Sequence, residues 1–345
     1  MKIARAFALL VLLSPAWAQQ DPAALSDAAQ RLAGGKQFAG AEKLWRRAIE
    51  ISPEFFPALF NLGYMYFRLE QYGQAEPLLS RAARANPRDF NSRYVLGATL
   101  TRLERRDDAL RQWREALKIR PNDERLMQVM SVEYSKGRYF KEAAEIARRA
   151  LDLKPGDPNL YFLAIKAYQD AGDSAAAFEA AQRAVERFPN SARANFEYGF
   201  HLQKQGRIQE ALASLQKAMA ADPAYEEPFF FYGDLLVKQG HYEEAIPYLR
   251  SAIKNRNDYV PARVELARAL INLQRWTEAI GELEETIRLE PKHPQPHLLL
   301  SQIYFRMGDE ERARKQKELS LRLRRENPTV LEAVQGRPFP SEPRR

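Results

Sequence analysis

The four histidines are the side chains of this sequence best suited to metal binding or acid–base chemistry. His293 and His297 are four residues apart, a spacing that on a helix can direct two imidazoles to one metal ion. Pro294 and Pro296 interrupt that pair, and no carboxylate stands at a matching spacing to complete a ligand set. We therefore predict no metal site, and we expect the other two histidines to pack in the interior or to face water.

Patterns typical of catalysis are also missing. The sequence has no cysteine, which excludes a cysteine nucleophile, thiolate metal sites and disulfides. No glycine-rich phosphate loop or nucleophile elbow is present, and no strand pattern would support either of them. Serines such as Ser80 and Ser214 lie inside helical patterns, where small polar residues are common. We predict that the protein is not an enzyme and uses no cofactor.

Aromatic and basic side chains, in contrast, recur at intervals of 34 residues. One such series is Phe162, Phe196 and Phe230, and another is Arg68, Arg102 and Lys136. Aromatic residues, with their large flat rings, are among the residue types that dominate binding hot spots. Cations on the same surface would attract acidic side chains and raise the encounter rate with a partner. The chemistry indicated is recognition, and the elements that carry it must themselves repeat.

Alanine keeps the same period without a single departure. The series is Ala41, Ala75, Ala109, Ala143, Ala177, Ala211, Ala245, Ala279 and Ala313. Seven residues after each alanine stands another small residue, and seven residues is close to two helical turns, so both lie on one helix face and let a second helix approach closely. The preceding helix carries a small residue three positions before a large one, as at Gly97 and Leu100. The pattern predicts pairs of packed helices.

Proline and glycine mark the ends of these predicted helices. Proline lacks an amide donor and ends the second helix of most units, as at Pro87, although Asn257 replaces it once. Four glycines occupy the turn between paired helices, where a positive φ costs glycine little. They are Gly172, Gly206, Gly240 and Gly308. Gly73 and Gly137 lie one or two positions away from that phase, so we expect those two turns to differ.

The whole pattern resembles the tetratricopeptide repeat, a helix-turn-helix module of this period. Residues 56–89 show it most clearly, and the residues that carry the resemblance there are Leu59, Leu62, Gly63, Tyr66, Ala75, Leu79, Ala82 and Pro87. The resemblance implies an all-α fold, a right-handed superhelical solenoid of about nine helix-turn-helix repeats over residues 22–326. The predicted repeats are 22–55, 56–89, 90–123, 124–157, 158–191, 192–225, 226–259, 260–293 and 294–326. Units in one register without an inserted residue leave no room for an embedded catalytic domain.

The family resemblance also implies a binding surface. In such proteins the first helices line the concave face, and ligand contacts usually come from positions 2, 5, 9, 12 and 13 of the repeat. The residues that we expect to bind a partner are Phe60, Tyr64, Phe67, Arg68, Tyr94, Arg102, Lys136, Phe162, Phe196, Phe200, Lys204, Phe230 and Lys238. Aromatic residues and lysine are common at these positions throughout the family. The general family pattern therefore also explains part of this series without a binding role in this protein.

Two specialised binding modes of the family are disfavoured by this sequence. The asparagine and lysine clamp for a terminal carboxylate needs an asparagine at position 9, and none stands there. An asparagine ladder needs the residue at position 6 of many repeats, which offers only Asn61. The first four residues of the expected surface fall in residues 56–89 together, so this repeat is where we first expect a bound peptide.

The two ends of the chain have other patterns. Residues 1–18 resemble a secretory signal peptide, because two basic residues precede a short apolar run and Ala16 and Ala18 supply the small residues of a cleavage site. We expect cleavage after Ala18, export to a periplasm or the medium, and no stable membrane insertion afterwards. For residues 327–345 we predict a short capping helix followed by a proline-rich disordered tail.

Charge narrows the class of partner. The chain has 53 Lys and Arg against 45 Asp and Glu, a mild excess that is compatible with acidic partners. It falls short of the concentrated basic stripe of a nucleic-acid binder, so we predict a protein or peptide partner and no nucleic acid.

We predict a non-enzymatic scaffold or adaptor that binds a segment in the concave groove. The alternative is an architectural accessory subunit of a cell-envelope machine for polysaccharide export or outer-membrane protein assembly. The sequence leaves the oligomeric state open.

Overall fold

The computed structural model describes residues 21–326, and all regular secondary structure in that range is α-helical. The helices in chain order are α1 (Pro22–Gly34), α2 (Phe38–Ile51), α3 (Phe56–Arg68), α4 (Tyr72–Ala85), α5 (Phe90–Arg102), α6 (Arg106–Ile119), α7 (Glu124–Lys136), α8 (Phe140–Leu153), α9 (Pro158–Asp170), α10 (Ser174–Arg187), α11 (Ala192–Lys204), α12 (Ile208–Ala221), α13 (Glu226–Lys238), α14 (Tyr242–Asn255), α15 (Val260–Asn272), α16 (Trp276–Leu289), α17 (Pro294–Arg306) and α18 (Glu310–Glu326). The prediction of an all-α helical repeat solenoid is confirmed. The predicted signal peptide, capping helix and tail lie outside the described residues.

Helices of two lengths alternate along the chain. The first helix of each pair has 13 residues and the second has 14, except α18, which has 17. A helix of this length is marginal alone in water, so each depends on burying its apolar face against its neighbours. Among the described residues no helix is both long and apolar enough to cross a membrane.

The small residues let the two helices of a pair come close together. A Cβ built on Gly63 would lie 2.9 Å from Leu79 Cγ, and one built on Gly233 would lie 2.7 Å from Leu249 Cγ. The most crowded case is Gly97, where the added Cβ would lie 2.3 Å from Nε1 of the indole of Trp113. These positions have space for a hydrogen atom only, which explains why the repeat selects small residues there.

Every pair turns through the same backbone conformation, including the two pairs for which we expected a difference. The turn residue has positive φ at Glu70 (59°) and Arg138 (64°), as at Gly172 (75°). The following amide closes a hydrogen bond to the carbonyl five residues earlier, 2.9 Å from Gln71 N to Tyr66 O, as in a Schellman motif. The expectation was wrong because glycine is favoured at this position without being required.

The link between successive repeats also persists where the proline is replaced. α14 ends at Asn255, although Asn257 stands in the place of the usual proline. The guanidinium of Arg263 in the next repeat donates to both the backbone carbonyl and the side-chain oxygen of Asn257, each at 2.9 Å. Asn195 makes the same kind of bond to the carbonyl of Pro189, at 2.7 Å. A polar side chain at position 4 therefore holds the end of the previous repeat.

The chain divides into two compact units between Ser174 and Ala175. Unit 1 ends at Ser174, and its fully buried side chains include Leu59, Leu62, Trp113, Leu126 and Met130. Unit 2 begins at Ala175, and its fully buried side chains include Leu202, Leu215, Leu249, Leu266 and Leu283. Each unit has its own apolar core, so a surface feature of one unit is positioned by that unit alone.

Candidate functional site

Unit 2 contains a cavity of about 800 Å³, which we call the unit 2 groove. The helices α11, α13, α15 and α17, each the first of its pair, contribute most of its lining. The apolar lining comprises Phe200, Phe230, Phe231, Val237, Tyr242, Tyr259, Val260, Pro261, Val264, Ile271 and Leu299. Polar and charged side chains make up the rest of the lining, and a cavity of this size that combines apolar walls with polar groups is typical of a binding site.

Ring contacts fix the aromatic wall of the unit 2 groove. The ring of Phe231 meets that of Phe200 edge-on at 5.4 Å, and Phe230 lies 5.1 Å from both Phe231 and Tyr259. Phe200 and Tyr259 are buried, whereas Phe230 is half-buried and lies nearer to solvent. Edge-to-face pairs of this kind hold one another in place, so the wall is preformed.

Charged residues of the unit 2 groove pair within their own helices. Asp234 Oδ2 accepts from Lys238 Nζ at 2.6 Å on α13, and Glu265 Oε1 lies 3.3 Å from Arg268 Nε on α15. Burial raises the pKa of Glu265 to about 7, Arg268 opposes the shift, and Asp234 adds to it. Burial also lowers the pKa of Lys204, whose ammonium group lies 4.5 Å from the ring centroid of Phe200. The carboxyl groups of Asp234 and Glu265 thus offset part of the positive charge that Lys238 and Arg268 bring to the unit 2 groove.

Unit 1 carries a second aromatic surface, which we call the aromatic ladder. Along α3, Phe56, Phe60 and Tyr64 follow one another at ring distances of 5.9 Å, with interplanar angles of 14° and 7°. Phe67 continues the series 6.4 Å from Tyr64 and meets Tyr72 of α4 edge-on at 5.9 Å. Tyr64 is 38% exposed, so the ladder presents ring surface to solvent.

The structure brings the expected binding residues together in two groups. Four of them, Phe200, Lys204, Phe230 and Lys238, line the unit 2 groove. Four others, Phe60, Tyr64, Phe67 and Arg68, share helix α3, where the three rings belong to the aromatic ladder and Arg68 is exposed. The remaining five, Tyr94, Arg102, Lys136, Phe162 and Phe196, line neither surface.

Those five residues have differing surroundings. Tyr94 is half-buried with its ring 5.7 Å from that of Phe90, and Arg102 is exposed. Lys136 Nζ donates to Glu133 Oε1 at 2.8 Å. Phe162 and Phe196 are 7% and 6% exposed, so each presents little surface to a partner in the structure. Their part in binding stays a prediction.

Several residues of the unit 2 groove were missed in the sequence. Asp234 and Arg268 occupy position 9, which the family resemblance had implied as a contact position. Because the two residues have opposite charges, the sequence did not indicate that they line one cavity. Glu265 occupies position 6 and Tyr259 the last position of its repeat, where the resemblance implied no contact. The contribution of Tyr259 follows from its burial against Phe230, which periodicity does not encode.

His293 and His297 take structural positions. His293 caps α17, its ring nitrogen accepting from Gln295 N at 3.2 Å, and His297 Nδ1 lies 2.7 Å from Gln316 Oε1. Both are buried, and the two prolines near them fit into the first turn of α17. Burial lowers the pKa of His201 to about 4. Over residues 21–326, no group of three or more histidine or acidic side chains is arranged to hold a metal ion.

Comparison with known proteins identifies the repeat. Family models described as tetratricopeptide repeat match residues 160–191, 202–249, 236–287 and 264–328. A model described as anaphase-promoting complex, cyclosome, subunit 3 matches residues 35–116. No curated protein sequence matches the chain. These matches to residues 160–191 and 202–328 support the prediction of a tetratricopeptide-repeat protein, and the expected export stays a prediction.

Solved structures show the same fold at low sequence identity. The chain is similar to PilW, described as a widely conserved type IV pilus biogenesis factor, with 23% identity, a TM-score of 0.52, and coverage of 62% of this chain and 98% of that one. Pseudomonas aeruginosa PilF follows with 19% identity, a TM-score of 0.51, and coverage of 61% and 95%. YrrB, described as a protein of this repeat class with an unusual peptide-binding site, has 22% identity, a TM-score of 0.43, and coverage of 53% and 95%.

Proposed function

We propose that this tetratricopeptide-repeat protein is a non-enzymatic scaffold or adaptor that holds a segment of another protein in the unit 2 groove. The observation that carries the proposal is the preformed aromatic wall, in which Phe200, Phe230 and Tyr259 line one cavity of about 800 Å³. Apolar side chains of a partner would be buried against this wall, and burial of about 100 Å² of apolar surface contributes roughly 2.5 kcal/mol.

The rim of the unit 2 groove supplies selection. Lys204 and Arg306 are exposed residues of its lining, and cations at the edge of an interface act mainly on the encounter rate and on the choice of partner. We infer a preference for segments with acidic residues beside the buried apolar ones. Lys238 contributes less to this preference, because Asp234 already neutralises its charge.

Photo-crosslinking from the groove tests this function directly. A photoreactive amino acid replaces Asn272 or Gln302, which are exposed residues of the lining, and in the controls it replaces Lys217 or Lys254 on second helices. We expect the groove positions to crosslink to one discrete segment of a partner in producing cells, and the control positions to leave that segment unmodified. Equal crosslinking from both sets of positions, or none from the groove, contradicts the proposal.

Charge reversal tests the selection. The variant carrying Lys204→Glu and Arg306→Glu should weaken binding of the crosslinked segment by about tenfold and reduce its salt dependence. The matched control carries Lys217→Glu and Lys254→Glu, which changes the net charge equally on second helices. Unchanged affinity in the groove variant removes the charge part of the proposal and leaves the apolar part intact.

A second candidate is the architectural role in a cell-envelope machine, and the signal-peptide pattern of residues 1–18 favours it. Purification from envelope extracts separates the two roles. A stable complex of fixed stoichiometry that survives the Lys204→Glu and Arg306→Glu changes supports the architectural role. Transient capture of varied segments that these changes abolish supports the adaptor.

A further inference from the structure

A second cavity lies in unit 1, and it shares no lining residue with the unit 2 groove or the aromatic ladder. It has a volume of about 730 Å³ and lies between α6 and α8, the second helices of two successive pairs, with α7 beneath it. We call it the α6/α8 furrow. Its lining comprises Arg114, Leu117, Lys118, Pro121, Met130, Tyr134, Lys141, Glu142, Glu145, Ile146 and Arg149.

The floor of the α6/α8 furrow is apolar. Leu117 of α6, Met130 and Tyr134 of α7, and Ile146 of α8 are all buried, with at most 8% of each exposed. Burial raises the pKa of the Tyr134 hydroxyl, and nearby Arg114 opposes that shift. Methionine is flexible and polarisable, so a floor that contains it adapts to the shape of an inserted apolar group.

The rim of the furrow is basic. Arg114 and Lys118 come from α6, and Lys141 and Arg149 come from α8, so cations stand on both sides of the apolar floor. Of the two carboxylates in the lining, Glu145 is engaged outward, because Arg148 donates to its two oxygens at 2.9 and 3.2 Å. Glu142 is the second carboxylate of the lining. Lys118 Nζ donates to Glu115 Oε1 at 2.6 Å, which partly neutralises its charge. The four cations still outnumber the two carboxylates of the lining, so the rim has a net positive charge.

The repeat register supplies an internal control for this charge. The four rim cations occupy positions 25 and 29 of one repeat and positions 18 and 26 of the next. At each of the other seven junctions between predicted repeats, no more than two of these positions hold Lys or Arg, and carboxylates or neutral residues fill the others. The net charge of the four positions is +4 here and between −1 and +1 elsewhere. Arg149 donates to the carbonyl of Pro121 at 3.4 Å, as Arg81 does to that of Pro53, so the cation at position 26 also serves packing. The other three positions are not basic together at any other junction, so packing of the repeat does not require that combination.

We propose that the α6/α8 furrow is a second docking site, which binds an acidic segment of a partner protein with an apolar side chain at its centre. The apolar side chain enters the floor, and flanking carboxylates meet the cations on both sides. Binding here does not depend on the unit 2 groove, so the proposal stands independently of the proposed function.

A protein segment fits the furrow better than other polyanions do. Nucleic acid binds a continuous basic track that follows its backbone, whereas these cations surround one apolar cavity. Carboxylates within the lining would repel phosphates, while they can accept hydrogen bonds from the amides of a peptide. Mixed charge around an apolar centre is the usual composition of a protein interface.

A peptide library displayed on phage identifies the preferred ligand even though the partner itself is unidentified. Random dodecapeptides are selected on the full chain, and the enriched peptides are titrated against three proteins. These are wild type, a furrow variant with Lys118→Glu and Lys141→Glu, and a control with Lys217→Glu and Lys254→Glu on the second helices α12 and α14. All four positions are exposed, and Lys254 occupies the same repeat position as Lys118. Circular dichroism verifies that each variant is folded.

We expect selection of peptides with Asp or Glu on both sides of an apolar centre. Their affinity should fall by about tenfold in the furrow variant, remain within about twofold in the control, and decrease with added salt. The proposal is overturned if no such peptide is selected, or if the selected peptides bind the furrow variant as tightly as wild type. It is also overturned if the furrow changes abolish binding to phosphatidylglycerol vesicles and leave peptide binding unchanged, which would assign the furrow to lipid.

Discussion

The contact between Gly97 and Trp113 leads to a sharp prediction, that Gly97→Ala destabilises unit 1. The added Cβ would lie 2.3 Å from Nε1 and 2.5 Å from Cδ1 of the indole, so the ring must move by roughly 1 Å to reach ordinary contact. Trp113 is 2% exposed and has little free space to move into. The same displacement lengthens the 3.0 Å hydrogen bond from its Nε1 to the carbonyl of Tyr94.

The magnitude follows from three contributions. Overpacking of a close-packed core costs about 1–3 kcal/mol, and loss of the indole hydrogen bond costs about 1 kcal/mol. Alanine favours the helix over glycine by about 1 kcal/mol, which partly offsets them. We therefore expect a net loss of about 2 kcal/mol in the free energy of opening of α5 and α6.

Gly281→Ala is the matched control. Gly281 lies inside α16, and a Cβ built there would meet nothing within 4 Å. Only the helix-propensity contribution applies, so this change should stabilise α16 by about 0.5–1 kcal/mol. The same chemical change is thus expected to have opposite effects at the two sites.

Native-state hydrogen exchange measures both effects where they arise, because stability in a repeat array is distributed over neighbouring units. A loss of about 2 kcal/mol corresponds to amides of α5 and α6 that exchange roughly thirtyfold faster in the Gly97→Ala variant. Equal or slower exchange of those amides would refute the assigned crowding. Faster exchange of α16 in the Gly281→Ala variant would refute the assignment of open space around that site.

Three further changes test other contacts. Glu104 has a φ of 60°, so Glu104→Gly should stabilise its turn by about 1 kcal/mol in urea unfolding, whereas a loss of stability would contradict the strain. Because burial raises the pKa of Glu265 to about 7, the free energy of unfolding should fall by up to about 3 kcal/mol between pH 4.5 and 7, and Glu265→Gln should remove that slope. His201, with its pKa lowered to about 4, gives the opposite slope below pH 6.5, so the variant and wild type are compared at each pH, and identical profiles would exclude Glu265 as the cause. Arg263→Leu should cost about 3 kcal/mol in thermal unfolding, because it leaves Glu282 without its 2.6 Å partner, and a smaller loss than that of Arg250→Leu on the surface would contradict the assigned role.

The periodic residues encode the fold almost completely. Alanine at every step of 34 residues predicts where second helices pack, and Gly63 and Gly97 predict where first helices approach them. The turn conformation at Glu70 and Arg138 could not be predicted from the sequence. These turns are closed by backbone hydrogen bonds, which do not depend on the residue type. A rule based on glycine alone therefore fails at these turns.

The candidate sites were predicted only in part. The residues at positions 5 and 13 led to Phe230 and Lys238, which line the unit 2 groove. They also led to Phe162, which the structure buries, since one repeat position can meet solvent or a neighbouring helix according to the size of the residues around it. The α6/α8 furrow was missed because its cations lie on second helices. A comparison of position 18 across repeats would have singled out Lys141.

The fixed lengths of the paired helices, 13 and 14 residues, have a consequence for how such a gene changes over time. Recombination between repeats adds or removes 34 residues in phase, so the joints that remain are of the same kind as before. The α6/α8 furrow has a different fate under such exchange, because its two sides belong to different repeats. It is inherited only when residues 90–157 are copied together, and a crossover between them separates the cations on α6 from those on α8.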